Sequence, residues 1–193
     1  MSVQNKKMRE TAFTASDLTM DDQGRIYHLQ IKPENLAQDI LIVGDPGRAQ
    51  MISETFFTNI EINHEHRGLR TATGFAHLAG APSIDFTPMR TTVTTSGMGT
   101  PSLEIILQEL AALNEIDFTA RLPKPQFPEL HIIRVGTSGA LQKTTPLGTS
   151  IITSYAIGMD NSGLFYEIPY PDDTSRRLEQ ERSNFFMDAT PKT

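Results

Sequence analysis

The stretch Ile40-Leu41-Ile42-Val43-Gly44-Asp45-Pro46-Gly47-Arg48 constrains the chain more than any other. Four consecutive apolar, mostly β-branched residues read as a strand buried on both faces. They run directly into two glycines, and Asp45 and Pro46 form a helix start. Asp caps the helix, and Pro at the first helical position gives up no needed N–H. Ala49, Ile52 and Phe56 follow at helical spacing, so a helix to about Phe57 is expected. Strand, glycine loop and helix then recur. Thr91–Thr95 meets Ser96-Gly97-Met98-Gly99-Thr100. A helix starts there at Pro101, with Thr100 as its cap and Leu103, Ile106, Leu107, Leu110 and Leu113 as its apolar stripe. His131–Val135 meets Gly136-Thr137-Ser138-Gly139. This recurrence is the grammar of an α/β domain with a largely parallel sheet.

The remaining segments are read more loosely. Residues 25–31 alternate and suit a short strand, and 32–38 a turn or short helix. Residues 69–97 suit two or three strands with turns at Gly74 and Gly80–Pro82. The proline-rich connection 114–130 reads as a surface insertion, 148–158 as a fourth strand, and a last helix begins at Asp173 or Thr174. Residues 1–20 are expected to be a mobile tail, and 21–193 one domain.

The three glycine loops suggest a ligand. In open α/β sheets, ligands bind at the carboxyl ends of the strands. Glycines let backbone N–H groups approach closely, and helix N-termini attract anions. Any one such loop is an ordinary turn, but three together favour a phosphate or another small oxyanion. They match neither a Walker motif nor a dinucleotide fingerprint. Arginines strengthen the reading, because guanidinium groups fork onto phosphate oxygens. Arg48 follows the first loop. Arg134 lies inside an apolar strand, where a charge needs either a ligand or a buried carboxylate. Arg67, next to His64, Glu65 and His66, is a third candidate, or else a solvated loop arginine. His-Glu-His is a weak metal signature, so no metal is expected. His28 by itself is a hydrogen-bonded structural histidine.

Composition removes other classes. A net charge of −6 argues against nucleic-acid binding. With no cysteine there is no disulfide framework, thiolate metal site or thiol nucleophile. The N-terminus has no apolar signal core and no apolar run reaches membrane-spanning length. A cytoplasmic location and no membrane partner are therefore expected.

Four segments, LIVGDPGRAQMI, HRGLRTATG, TTSGMGTPSLEIILQELAAL and IIRVGTSGALQ, stand in the order and spacing of the nucleoside phosphorylase family, most closely its uridine phosphorylase-like branch. The sequence resembles that family from about Ile26 to Asp172. The resemblance implies a three-layer α/β fold with a central, mixed, mostly parallel sheet flanked by helices. It implies phosphorolysis of a nucleoside, uridine or another pyrimidine nucleoside, to free base and ribose 1-phosphate. Inorganic phosphate is then the co-substrate and no cofactor is needed.

Carried over by motif, Gly44, Arg48, Arg67, Arg134 and Thr137 would bind phosphate. His28, Met98 and Thr137 would bind ribose, and Ser138 and Gly139 would lie beside the base. Arg67 and His28 would serve a neighbouring subunit's site, which implies a homo-oligomer, dimer-based and in this family commonly a hexamer. Gly68 stands where uridine phosphorylases often place a glutamate linked to a monovalent cation. Family segments that read the base and hold the ribose hydroxyls find no match after Asp172, so the domain is expected to be C-terminally incomplete. Two alternatives accompany the phosphorylase reading: an inactive relic that keeps phosphate binding and oligomer contacts, and a nucleosidase that uses water.

Overall fold

Residues 11–77, 87–158, 160, 162–166 and 169–189 are described by the computed structural model. They fall into two units that part between Thr137 and Ser138, inside the span read from sequence as one domain.

The first unit is built on a five-stranded sheet. Its strands are β1 (Asp39–Val43), β2 (Phe57–His66), β3 (Leu69–Ala76) and β4 (Met89–Thr95), joined by His131–Val135, which becomes β7 once the small β5 (Ile116–Asp117) and β6 (Leu122–Pro123) ladder is counted. The order across the sheet is β2-β3-β4-β1-β7. β1 pairs in parallel with both β4 and β7, and β2-β3-β4 form an antiparallel meander. Helices α1 (Pro46–Phe56) and α2 (Thr100–Glu115) flank it. This is the mixed, helix-flanked sheet that the resemblance implies.

Alternation along β1 assigns each helix a face. Ile40 and Ile42 join Ile106, Leu110 and Leu113 of α2. Val43, with Leu41 packed alongside, joins Ala49, Phe57, Ala72 and Val93 on the α1 side. The helix stripe expected from sequence is borne out at those three α2 positions and at Leu103, which packs against the same cluster, whereas Leu107 is 39% exposed and lies off it. The buried threonines of β3 and β4 have partners: Thr91 and Thr95 donate to the carbonyls of Met89 and Arg70, and the other four satisfy one another. Thr71 and Thr94 hydroxyls meet at 2.8 Å, as do those of Thr73 and Thr92.

Several expectations change. Residues 25–31 form a tight turn instead of a strand: Ile26 N donates to Ile31 O, Gln30 N donates to Ile26 O, and Gln30 has a φ of +55°. Ile26, Leu29 and Ile31 are all buried toward α2, a spacing that alternation cannot supply. Gly74 is no turn, for β3 runs straight through it. A bulge in β2 between Thr58 and Ile62, with Asn59 at φ +48°, brings backbone against Gly74. A Cβ there would meet Thr58 O at 3.1 Å. The expected Gly80–Pro82 turn lies outside the described residues. α2 begins at Thr100, so its N-cap is Gly99 at φ +86°, not Thr100.

The tail expected over residues 1–20 is anchored over its described part. Arg121 donates to the carbonyls of Phe13, Thr14 and Leu18, and Leu18 is buried.

In the second unit, α3 (Asp173–Ala189) starts where expected, and a short 3-10 helix spans Ser162–Phe165. Residues 148–158 form no strand. A β-branched sequence makes a strand only where a neighbour accepts its backbone bonds, and among the described residues none pairs with it.

Candidate functional site

β4, β1 and β7 end level with one another. Val43 is in register with Thr95 on one side and with Val135 on the other. Gly44, Ser96 and Gly136 therefore leave the sheet side by side at its carboxyl edge. Because α1 and α2 lie on opposite faces, the neighbouring strands β1 and β4 send their chains in opposite directions here. Such a switch point is where open α/β sheets bind their ligands.

Each loop is built differently. Gly44 has open space where a Cβ would stand. Asp45 caps α1, its Oδ1 accepting from Arg48 N at 2.9 Å, and its other oxygen lies 3.7 Å from Arg48 Nη2. The guanidinium is only loosely held, and its side chain is 29% exposed. The second loop is tied back to the first: Ser96 N donates to Val43 O at 2.7 Å, and Ser102 Oγ donates to Ser96 O at 2.6 Å. Gly97 and Gly99 both have positive φ, no side chain caps α2, and Met98 is 93% exposed. In the third loop, a Cβ at Gly136 would sit 3.0 Å from Arg134 Nη1, so the guanidinium bends toward the end of its strand.

Arg134 itself is exposed, as is all of β7. The expectation that it is a charge in a buried strand is therefore corrected. β7 is an edge strand of the first unit, and Ile133 beside it is 62% exposed. Thr137 closes the first unit. Ser138 and Gly139 are exposed and belong to the second.

Arg67 and His28 come together at a separate groove. Arg67 and Gly68, both with positive φ, form the two-residue turn between β2 and β3. Arg67 Cζ lies 5.7 Å from the Tyr27 ring centroid, with Nη1 3.4 Å from the Tyr27 hydroxyl. Tyr27 meets His28 and His66 edge-on, with centroids 4.9 and 5.3 Å away. His28 Nδ1 is 2.7 Å from Glu109 Oε1 on α2. Tyr27, His28 and Arg67 line a groove of about 930 Å³ together with Pro101, Ile105 and Glu109. Gly44, Arg48, Arg134 and Thr137 do not line it. Sequence reading found His28 and Arg67 but neither Tyr27 between them nor Glu109 behind them. The one local hint was that Tyr27 precedes His28.

The level loops and the switch point form the carboxyl edge of an α/β sheet, with Arg48 in the first turn of α1 and Arg134 bent toward Gly136. The comparisons narrow that class of fold. The family model described as Phosphorylase superfamily matches residues 38–187, and the chain belongs to that family. A uridine phosphorylase of Thermococcus kodakarensis is 31% identical over 160 residues, 82% of this chain and 49% of the relative. A DeoD-type purine nucleoside phosphorylase of Alkaliphilus metalliredigens is 33% identical over 67% of this chain and 46% of its own length. Among solved structures, a Trypanosoma brucei nucleoside phosphorylase described as showing uridine phosphorylase activity has a TM-score of 0.71 at 31% identity. That match covers 85% of this chain and 52% of the other. The Vibrio fischeri uridine phosphorylase, at 24% identity and a TM-score of 0.59, shares the fold; the match covers 90% of this chain and 62% of that one. The chain spans about half the length of the curated relatives it matches.

Proposed function

We propose that the carboxyl edge of β4, β1 and β7 holds inorganic phosphate, and that the protein catalyses phosphorolysis of a nucleoside, uridine or another pyrimidine nucleoside. The observation that carries this reading is the level exit of three glycine-bearing loops at a switch point, with Arg48 in the first turn of α1 and Arg134 bent toward Gly136. Gly44 leaves room for a phosphate oxygen to approach the backbone. Arg48 and Arg134 supply charge, Thr137 a hydroxyl and Met98 an apolar wall toward the ribose. The uridine and purine specificities of the matched relatives frame the choice of base.

Chemically, one phosphate oxygen attacks the anomeric carbon as the bond to the base nitrogen breaks. The base leaves with the electron pair and takes a proton, and ribose 1-phosphate forms. Positive charge builds on the sugar, and a phosphate fixed beside it serves as both nucleophile and counter-charge. No resident cofactor enters this scheme. Arg67 and His28 share a groove that the strand-end loops do not line, which fits their assignment to a neighbouring subunit's site in a homo-oligomer.

The test is uracil release from uridine by the purified chain, with and without inorganic phosphate. Phosphate-dependent release is expected, and Arg48→Ala should raise the KM for phosphate about tenfold or more, the worth of a hydrogen bond to a charged group. Release that ignores phosphate would point to hydrolysis. No release from a folded sample that still binds phosphate would point to a binding protein.

A further inference from the structure

Glu109 does more than touch His28. Both its oxygens accept from His28 N, at 3.0 and 3.1 Å, and one also accepts from Leu29 N at 2.9 Å. His28 Nδ1 lies 2.7 Å from the other. The carboxylate side chain is only 12% exposed. An ionised carboxylate can accept hydrogen bonds but cannot donate them. Nδ1 must therefore bring the proton to that contact, and in the neutral ring this leaves Nε2 bare. Nε2 makes no hydrogen bond among the described residues. It is the ring nitrogen directed away from Glu109, and His28 borders the 930 Å³ groove. Tyr27, packed edge-on at 86°, braces the ring against rotation.

We propose that Glu109 is a positioning residue. It locks His28 in the Nδ1–H tautomer, so that the bare Nε2 accepts a hydrogen bond from a hydroxyl of the ligand. A bare nitrogen selects a group with a proton to give. A sugar hydroxyl fits, and a phosphate ester oxygen at the same place does not. The ligand's identity rests on the nucleoside reading above, whereas the tautomer does not.

Two measurements separate these. First, nitrogen-15 NMR of the histidine rings near ~pH 8, where an ordinary imidazole is neutral, should show His28 protonated at Nδ1 in the parent chain. In Glu109→Gln that preference should be lost. A parent ring protonated at Nε2 would overturn the proposal, and this holds whether or not the protein releases uracil. Second, Glu109→Gln should raise the KM for uridine about tenfold, the worth of one such hydrogen bond. The KM for phosphate should not change. In a His28→Ala background the same change should have no further effect. A full additional loss in that background would mean that Glu109 only holds the turn together, and would overturn the proposal. If Glu109→Gln does not fold, Glu109→Asp takes its place, and the parent's NMR signature remains decisive. A parent chain that releases no uracil defeats the nucleoside reading alone.

Discussion

At Gly97 the backbone carries a φ of +67°, and a Cβ would stand 2.6 Å from Ser102 Oγ. That hydroxyl is already committed to Ser96 O, so it has little freedom to move. Gly97→Ala should therefore cost about 1–3 kcal/mol, the range for a strained backbone residue. Gly44→Ala, with open space at the Cβ and no left-handed φ, should cost far less. Urea unfolding of the two variants checks the contrast. Both glycines were legible in the sequence as loop residues. Which one is sterically required was not, because the answer depends on a serine on the first turn of the next helix. His28 shows the same limit. Its ring was visible, but the Glu109 that orients it is 81 positions away, and local patterning cannot connect them. Arg134 was misread because an apolar strand sequence implies burial. An edge strand keeps the same composition without it.

Among the elements, β1, α1, β4, α2 and β7 were readable because each has a strong period and clear punctuation. β2 was not. It follows α1 at once, with Phe57 already extended at φ −101°. Its bulge interrupts the alternation, and its residues are mostly exposed. Beyond its ladder with β3, a long-range pair holds it: Arg90 on β4 reaches past β3 to grip both oxygens of Glu61 on β2, and also donates to the carbonyls of Leu36 and Glu34. The hydrogen bond from Arg90 holds the Glu61 carboxyl below its usual value of 4.5. A lowered folded-state value stabilises the fold above 4.5, and that contribution is lost as the pH falls through the lowered value. Relative to Glu61→Gln, the parent should thus gain stability near neutral pH, and the gain should shrink below 4.5. Thermal melts of both proteins across that range give the comparison.

For the whole molecule, the division after Thr137 has a practical reading. Residues 138–158 contain neither helix nor strand and are exposed except at Thr145. Exposed loops of small residues are where proteases cut first. Limited trypsin digestion, followed by mass spectrometry, should cut after Lys143 before it cuts after Arg48, Arg70 or Arg90, which sit in α1, β3 and β4. At this scale the sequence disclosed the family, through motifs in order, and the layered α/β plan. It did not disclose the partition into two units, since the apolar run 148–158 looks like one more strand of the same sheet. The paired hydroxyls of Thr71 and Thr94 carry a consequence for how such a sheet is inherited. Thr71→Val alone leaves a buried hydroxyl without its mate and should cost about 1–3 kcal/mol in urea melts. Thr71→Val with Thr94→Val together should be close to neutral. Drift at either position is therefore barred until the other changes too, and the centre of this sheet evolves by couples of codons, not one codon at a time.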